Sequence, residues 1–141
     1  IDGFPEGRDP WLARPWLINA IDSGSIESIA WMLKRGVTID IEPNDGFPAL
    51  HSAIDRKSED KYAILRLLIE ANADPNVRGI HDWTPLHKAA CANDVEAMKL
   101  LIAGGADVNA RTRIDDYATP LEEARIFGST PEAVTFLESL T

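Results

Sequence analysis

The chain repeats itself. The stretch Pro15-Trp16-Leu17-Ile18-Asn19-Ala20-Ile21 returns as Pro48-Ala49-Leu50-His51-Ser52-Ala53-Ile54, then as Thr84-Pro85-Leu86-His87-Lys88-Ala89-Ala90, then as Thr119-Pro120-Leu121-Glu122-Glu123-Ala124-Arg125. The aligned leucines Leu17, Leu50, Leu86 and Leu121 stand 33, 36 and 35 residues apart. A second motif follows each of the first three at a similar offset. It reads Trp31-Met32-Leu33 to Gly36-Val37-Thr38-Ile39-Asp40, then Leu67-Leu68-Ile69 to Asn72-Ala73-Asp74-Pro75-Asn76, then Leu100-Leu101-Ile102 to Gly105-Ala106-Asp107-Val108-Asn109. Two linked motifs at one period require one small structural unit used several times, each copy burying its apolar side against the next.

Elementary rules say what that unit is. Proline at the first helical position loses no needed hydrogen bond and fixes φ, so Pro85 and Pro120 start short helices. The small Ala89 and Ala90 let neighbouring helices come close. Val95, Met98, Leu101 and Ile102 follow helical spacing and give a second helix an apolar stripe. Asp94 precedes that helix as an N-cap, and Gly104-Gly105 ends it where a left-handed residue is wanted.

These residues resemble the ankyrin repeat, whose signature is Thr-Pro-Leu-His-x-Ala-Ala followed by Leu-Leu and Gly-Ala-Asp-Val-Asn. Thr84 to Asn109 match it at nearly every position, the second copy is close, and the first and fourth are degenerate; the resemblance covers about residues 14–140. It implies an all-α solenoid of about four helix-turn-helix repeats with hairpin-like finger loops. The expected division of this single domain is an N-terminal arm or cap at 1–13 and repeats at 14–46, 47–82, 83–117 and 118–141. Repeat two carries three extra residues within Asp55 to Lys61, and the connection after Asn109 carries two; both fall where loops tolerate insertion. Glu122 and Arg125 put polar groups where a fifth repeat would stack, so repeat four reads as a C-terminal cap. Asp9-Pro10-Trp11-Leu12 are expected to close the other end. Trp16 and Trp31 are expected on core or cap surfaces.

Composition narrows the function. With 45% hydrophobic and 26% charged residues the chain has the make-up of an ordinary soluble globular protein. No apolar run reaches the roughly 18 residues a bilayer span needs, and the first residues have neither a basic nor an apolar signal region. A net charge of −9 repels nucleic acid and anionic lipid and favours a basic partner. The single cysteine, Cys91, excludes an internal disulfide and fits a reducing, cytoplasmic setting. A monomer is expected.

Candidate chemistry is sparse. His51 and His87 have no His-x-x-x-His or Cys-x-x-Cys framework for zinc, and the resemblance implies that such a histidine holds its turn through the neighbouring threonine and backbone. Cys91 has only Lys88, one helical turn back, to lower its pKa; a thiol enzyme using Cys91 with His87 or His81 is the rival reading. Asp115-Asp116 lacks the further oxygens of a calcium loop. No cofactor, metal or catalytic residue is expected.

The resemblance implies binding of a protein or peptide on a concave side made by the first helices and the fingers, as adaptor, scaffold or inhibitor. A stand-alone inhibitor of a basic toxin, of the bacterial immunity type, is an alternative. Helical geometry then places Lys88, Cys91 and Ala92 on that side, with Asp55 and Arg56 in repeat two and Ile126 and Phe127 in repeat four. The fingers add Phe47; Arg78, Ile80, His81 and Trp83; and Arg111, Arg113 and Tyr117. Trp83, Arg78, His81, Phe127 and Tyr117 are the expected anchors, because aromatic and arginine side chains dominate hot spots. Trp83 packing on its own finger and Phe127 sealing the last repeat are the competing roles.

Overall fold

The computed structural model describes residues 16–36, 39, 48–114, 117–128 and 131–140, with the side chain of residue 16 outside the description. Among the described residues there are eight α-helices and no strand. The all-α, helix-pair architecture expected from the period is what the structure shows. The chain divides into two compact units, residues 1–73 and 74–141.

The first unit holds α1 (Trp16–Ser23), α2 (Ile26–Lys34), α3 (Ala49–Asp55) and α4 (Lys61–Glu70). α1 packs on α2 and α3, and α4 on α3 and α2, so each pair also leans on the next. Leu17, Ile21, Ile29, Leu50, Ile64, Leu65 and Leu68 are fully buried. Each such side chain is worth about 1.5–3 kcal/mol when taken out of water. Ser25 caps α2 by accepting the Ser28 N–H at 3.1 Å. Trp31, in contrast to its expected core or cap role, is 41% exposed, with the Arg35 guanidinium 4.3 Å over its ring. It lies opposite the buried Ile29 and Met32 stripe of α2, so the helix period turns it outward.

Arg56 overturns another expectation. Rather than facing a partner, its guanidinium reaches back to α1, donating to Ile21 O at 2.9 Å and Gly24 O at 2.7 Å. Nε and Nη2 also donate to the Asp60 carboxylate at 2.8 and 3.0 Å, and the side chain is only 10% exposed. The carbonyls at the end of a helix have no intrahelical donors and carry the negative end of its dipole, so a paired guanidinium suits them. The longer α3–α4 connection supplies both Arg56 and Asp60. It is a clamp.

The second unit opens with a 3₁₀ turn, Ile80–Asp82, followed by α5 (Pro85–Cys91), α6 (Val95–Ala103), α7 (Pro120–Phe127) and α8 (Pro131–Glu138). α5 packs on α6 and broadly on α7, and α7 on α8, around the buried Leu86, Met98, Leu101, Ala124 and Leu137. Pro85 and Pro120 stand at the helix starts, capped by Thr84 and Thr119. Asp94 caps α6 through the Ala97 N–H at 3.1 Å, as the sequence predicts.

Turns in this unit are tied to one another by asparagines. Asn76 accepts the Asp107 N–H at 2.7 Å and donates to Gly105 O at 3.3 Å. Asn93 accepts the Ala133 N–H at 2.9 Å, capping α8 from a different helix pair. A left-handed residue follows α2, α4 and α6: Gly36 (φ 77°), Asn72 (φ 69°) and Gly105 (φ 106°). Glycine and asparagine are the types that tolerate this region, which explains their recurrence at one place in the period.

Candidate functional site

The candidate surface is built on the second unit from two short fingers and the ends of two helices. In the first finger the Gly79 N–H donates to Trp83 O at 2.9 Å and the Asp82 N–H to Gly79 O at 3.0 Å. His81 and Asp82 both sit at φ 60°. Two successive left-handed residues other than glycine are costly and persist only where surroundings over-determine them. In the second finger the Thr112 N–H donates to Ala118 O, and the Ala118 N–H to Thr112 Oγ1, each at 3.0 Å. Its Tyr117, at φ 51°, stands two residues before Thr119, as Asp82 does before Thr84.

Asp82 supplies the over-determination. Its carboxylate accepts Arg78 Nη1 at 3.0 Å, and from the other finger the Arg113 backbone N–H at 2.6 Å and Arg113 Nη2 at 2.7 Å. The Arg113 side chain beside it holds the Asp82 carboxyl at about 2, against a desolvation that pushes the other way. Arg78 further donates to Arg111 O at 2.8 Å, and Arg111 to Tyr117 O at 3.0 Å and to Glu122. Arg78, Arg111 and Arg113, expected to meet a partner, thus also carry a structural task, with the Arg111 and Arg113 side chains 59% and 71% exposed. All three help to fix the fingers.

The aromatic expectation fares differently. Trp83 lies 5.7 Å from His81 and 5.9 Å from Phe127, centroid to centroid, both tilted, in the range favoured by ring pairs. Phe127 packs against Trp83 and still leaves 54% of its surface exposed; Ile126 is 59% and Tyr117 61% exposed. Ile80 is exposed in the first finger. Lys88 and Cys91 are half-buried on α5, and Ala92, the residue that follows it, is exposed. Asp55 is exposed at the end of α3 in the first unit, and Phe47 lies outside the described residues. The sequence gives no signal for Asp82 as the link between fingers, since its partner Arg113 is 31 residues away.

The buried polar groups have structural tasks. His87 Nδ1 accepts the Thr84 N–H at 3.2 Å, and Nε2 lies 2.8 Å from Ala118 O. A carbonyl only accepts, so Nε2 carries the proton and the ring is neutral. Burial lowers its pKa below 6.5. Burial pushes the Cys91 thiol up to about 12, with the Glu123 carboxylate adding to it and Lys88 opposing. The slight lowering by Lys88 is thus outweighed, and burial disfavours the thiolate, the form that acts as nucleophile. Among the described residues no group of three or more His, Cys, Asp or Glu is placed to hold a metal.

With this geometry in view, comparison with known proteins is direct. The ankyrin-repeat family model matches residues 45–80 and 81–113. The chain belongs to the ankyrin-repeat family. Among its relatives, the RelA-associated inhibitor of Mus musculus is 35% identical over 108 residues, 76% of this chain and 12% of that one. Ankyrin repeat and SOCS box protein 3 of Bos taurus is 38% identical over 105 residues, 72% of this chain and 19% of that one. Delta-latroinsectotoxin-Lt1a of Latrodectus tredecimguttatus is 37% identical over 88 residues, 62% of this chain and 7% of that one. The chain spans less than a fifth of each of these three. Ankyrin repeats are protein-interaction modules, and no described helix is long and apolar enough to cross a membrane.

Proposed function

We propose that this ankyrin-repeat chain is a non-catalytic module that takes a partner protein or peptide against the fingers at 79–83 and at 111–114 with 117–118, and the adjoining ends of α5 and α7. The supporting observation is the run of rings His81, Trp83 and Phe127, of which His81 and Phe127 are exposed, with Ile126 and Tyr117 exposed on the same unit of a chain of net charge −9. Contiguous exposed apolar surface on an otherwise polar protein marks binding sites. Trp83 and Phe127 are the anchors; Tyr117, Ile126 and Ile80 extend them; Lys88, Cys91 and Ala92 form the floor. A cytoplasmic, monomeric adaptor or scaffold fits this reading. An inhibitor of a basic toxin or enzyme is the second reading, favoured by the acidic charge and by a relative whose name is that of an inhibitor.

Two variants separate binding from folding. Leu86→Ala should cost about 2–5 kcal/mol of stability by opening a cavity in the core. Trp83→Ala should leave the melting transition within about 1 kcal/mol of the parent and weaken a partner captured from native lysate by about thirtyfold or more, measured with both proteins purified. A Trp83→Ala protein that binds as before, or that unfolds like Leu86→Ala, would remove Trp83 from the site.

A further inference from the structure

We propose that Asp82 is a positioning residue for this face: by joining the first finger to Arg113 of the second, it holds Trp83 against Phe127 before a partner arrives, so that the two fingers bind as one surface. The inference rests on the binding face proposed above and adds how that face is kept ready.

Asp82 stands immediately before Trp83 and at φ 60°, a conformation that glycine adopts without strain and aspartate does not. Turn geometry alone therefore favours glycine, and the carboxylate needs another reason to be there. It joins two fingers 31 residues apart in sequence. Arg113 gives it a backbone N–H at 2.6 Å, Nη2 at 2.7 Å and Nε at 3.0 Å, while Arg78 holds it from its own finger at 3.0 Å. The Asp82 side chain is only 11% exposed. It has little surface with which to touch a partner, so its effect on binding passes through what it holds.

What it holds closes a circuit. Beyond Arg113 the second finger is drawn together by the paired bonds of Thr112 and Ala118 and runs on to Thr119, the cap of α7. That helix ends in Phe127, whose ring meets the ring of Trp83, next to Asp82. The same two segments are thus tied twice, once by the charged fork and once by the ring pair. Without the fork, a partner would have to order Trp83 and the second finger as it bound, and ordering a site on binding weakens affinity.

The test uses a peptide selected from a random library on the full chain, kept only if Trp83→Ala weakens it about tenfold or more. Asp82→Gly suits the turn and removes the fork. Where circular dichroism shows both proteins fully folded, this variant should weaken the peptide about fivefold or more. Arg113→Ala should do the same, and adding it to Asp82→Gly should change nothing further, because both act through one link. Should Asp82→Gly fold poorly, Asp82→Asn, a type that tolerates positive φ, takes its place. Parent affinity in the Asp82 variant would overturn the inference and leave the face standing. So would an Arg113→Ala loss that persists undiminished in the Asp82→Gly background, since Arg113 would then touch the peptide by itself. A library yielding no peptide that depends on Trp83 would overturn the face and the inference with it.

Discussion

His87 makes a hydrogen-bond circuit that suits a neutral imidazole, with Nδ1 accepting the Thr84 N–H and Nε2 donating to Ala118 O. Protonating Nδ1 would turn its N–H against the Thr84 N–H that it now accepts. The folded pKa lies below the ordinary 6.5, so the unfolded chain takes up the proton first. Stability from this residue is whole above about pH 6.5 and drains away as pH falls below it. The melting temperature should therefore drop between pH 7 and 5, and His87→Asn should flatten that slope while lowering the plateau by about 1–3 kcal/mol. A slope unchanged in the variant would contradict the assignment. Thr84, Pro85, Leu86 and His87 are adjacent, so the Thr84 half of this circuit was legible in sequence, whereas the bond to Ala118 O, 31 residues on, was not. Arg56 was not. A helical wheel gives the direction in which a residue leaves its helix, but it cannot show a long side chain curling back over an insertion to cap α1.

At the level of elements, order within each unit is enforced by polar side chains crossing from one turn to the next. Arg56 should be the most sensitive of these in the first unit. Arg56→Ala leaves carbonyls at the end of α1 without their charged donor, and a loss of about 1.5–3 kcal/mol in denaturant unfolding is expected. Arg56→Lys should restore little, because one ammonium cannot serve two carbonyls and a carboxylate in a fixed fork. Equal stability of Arg56→Ala and the parent would make the clamp incidental. In the second unit Asp82 couples the fingers. Asp82→Asn keeps a residue type that tolerates positive φ but loses the charge, so exchange at the Arg113 amide should rise about tenfold. Acid should do the same to the parent chain as pH falls from about 3.8 toward 2, since that carboxyl is depressed. An Arg113 amide that exchanges at the parent rate in the variant would mean another group holds the fingers. Helix starts, ends and buried faces could be read from the period because they depend on neighbours three or four residues away. The links through Asn76, Asn93 and Asp82 could not, because each joins residues 29 to 40 positions apart.

For the whole molecule, the sequence disclosed the family and the kind of work it does, and it singled out Trp83, His81 and Phe127, which the fold then brought into one run of rings. It could not show that the arginines also pair within the fingers, since a string of residues displays charges without their partners. A second apolar hollow, lined by Val95, Pro131, Thr135 and Phe136 on α6 and α8, gives the alternative surface against which the proposed face can be judged. Amide hydrogen exchange of the chain with and without its captured partner compares the two directly. Protection is expected at 79–83, 88–92 and 124–128, with 95–103 and 131–138 unchanged. Protection confined to α6 and α8 would contradict the account.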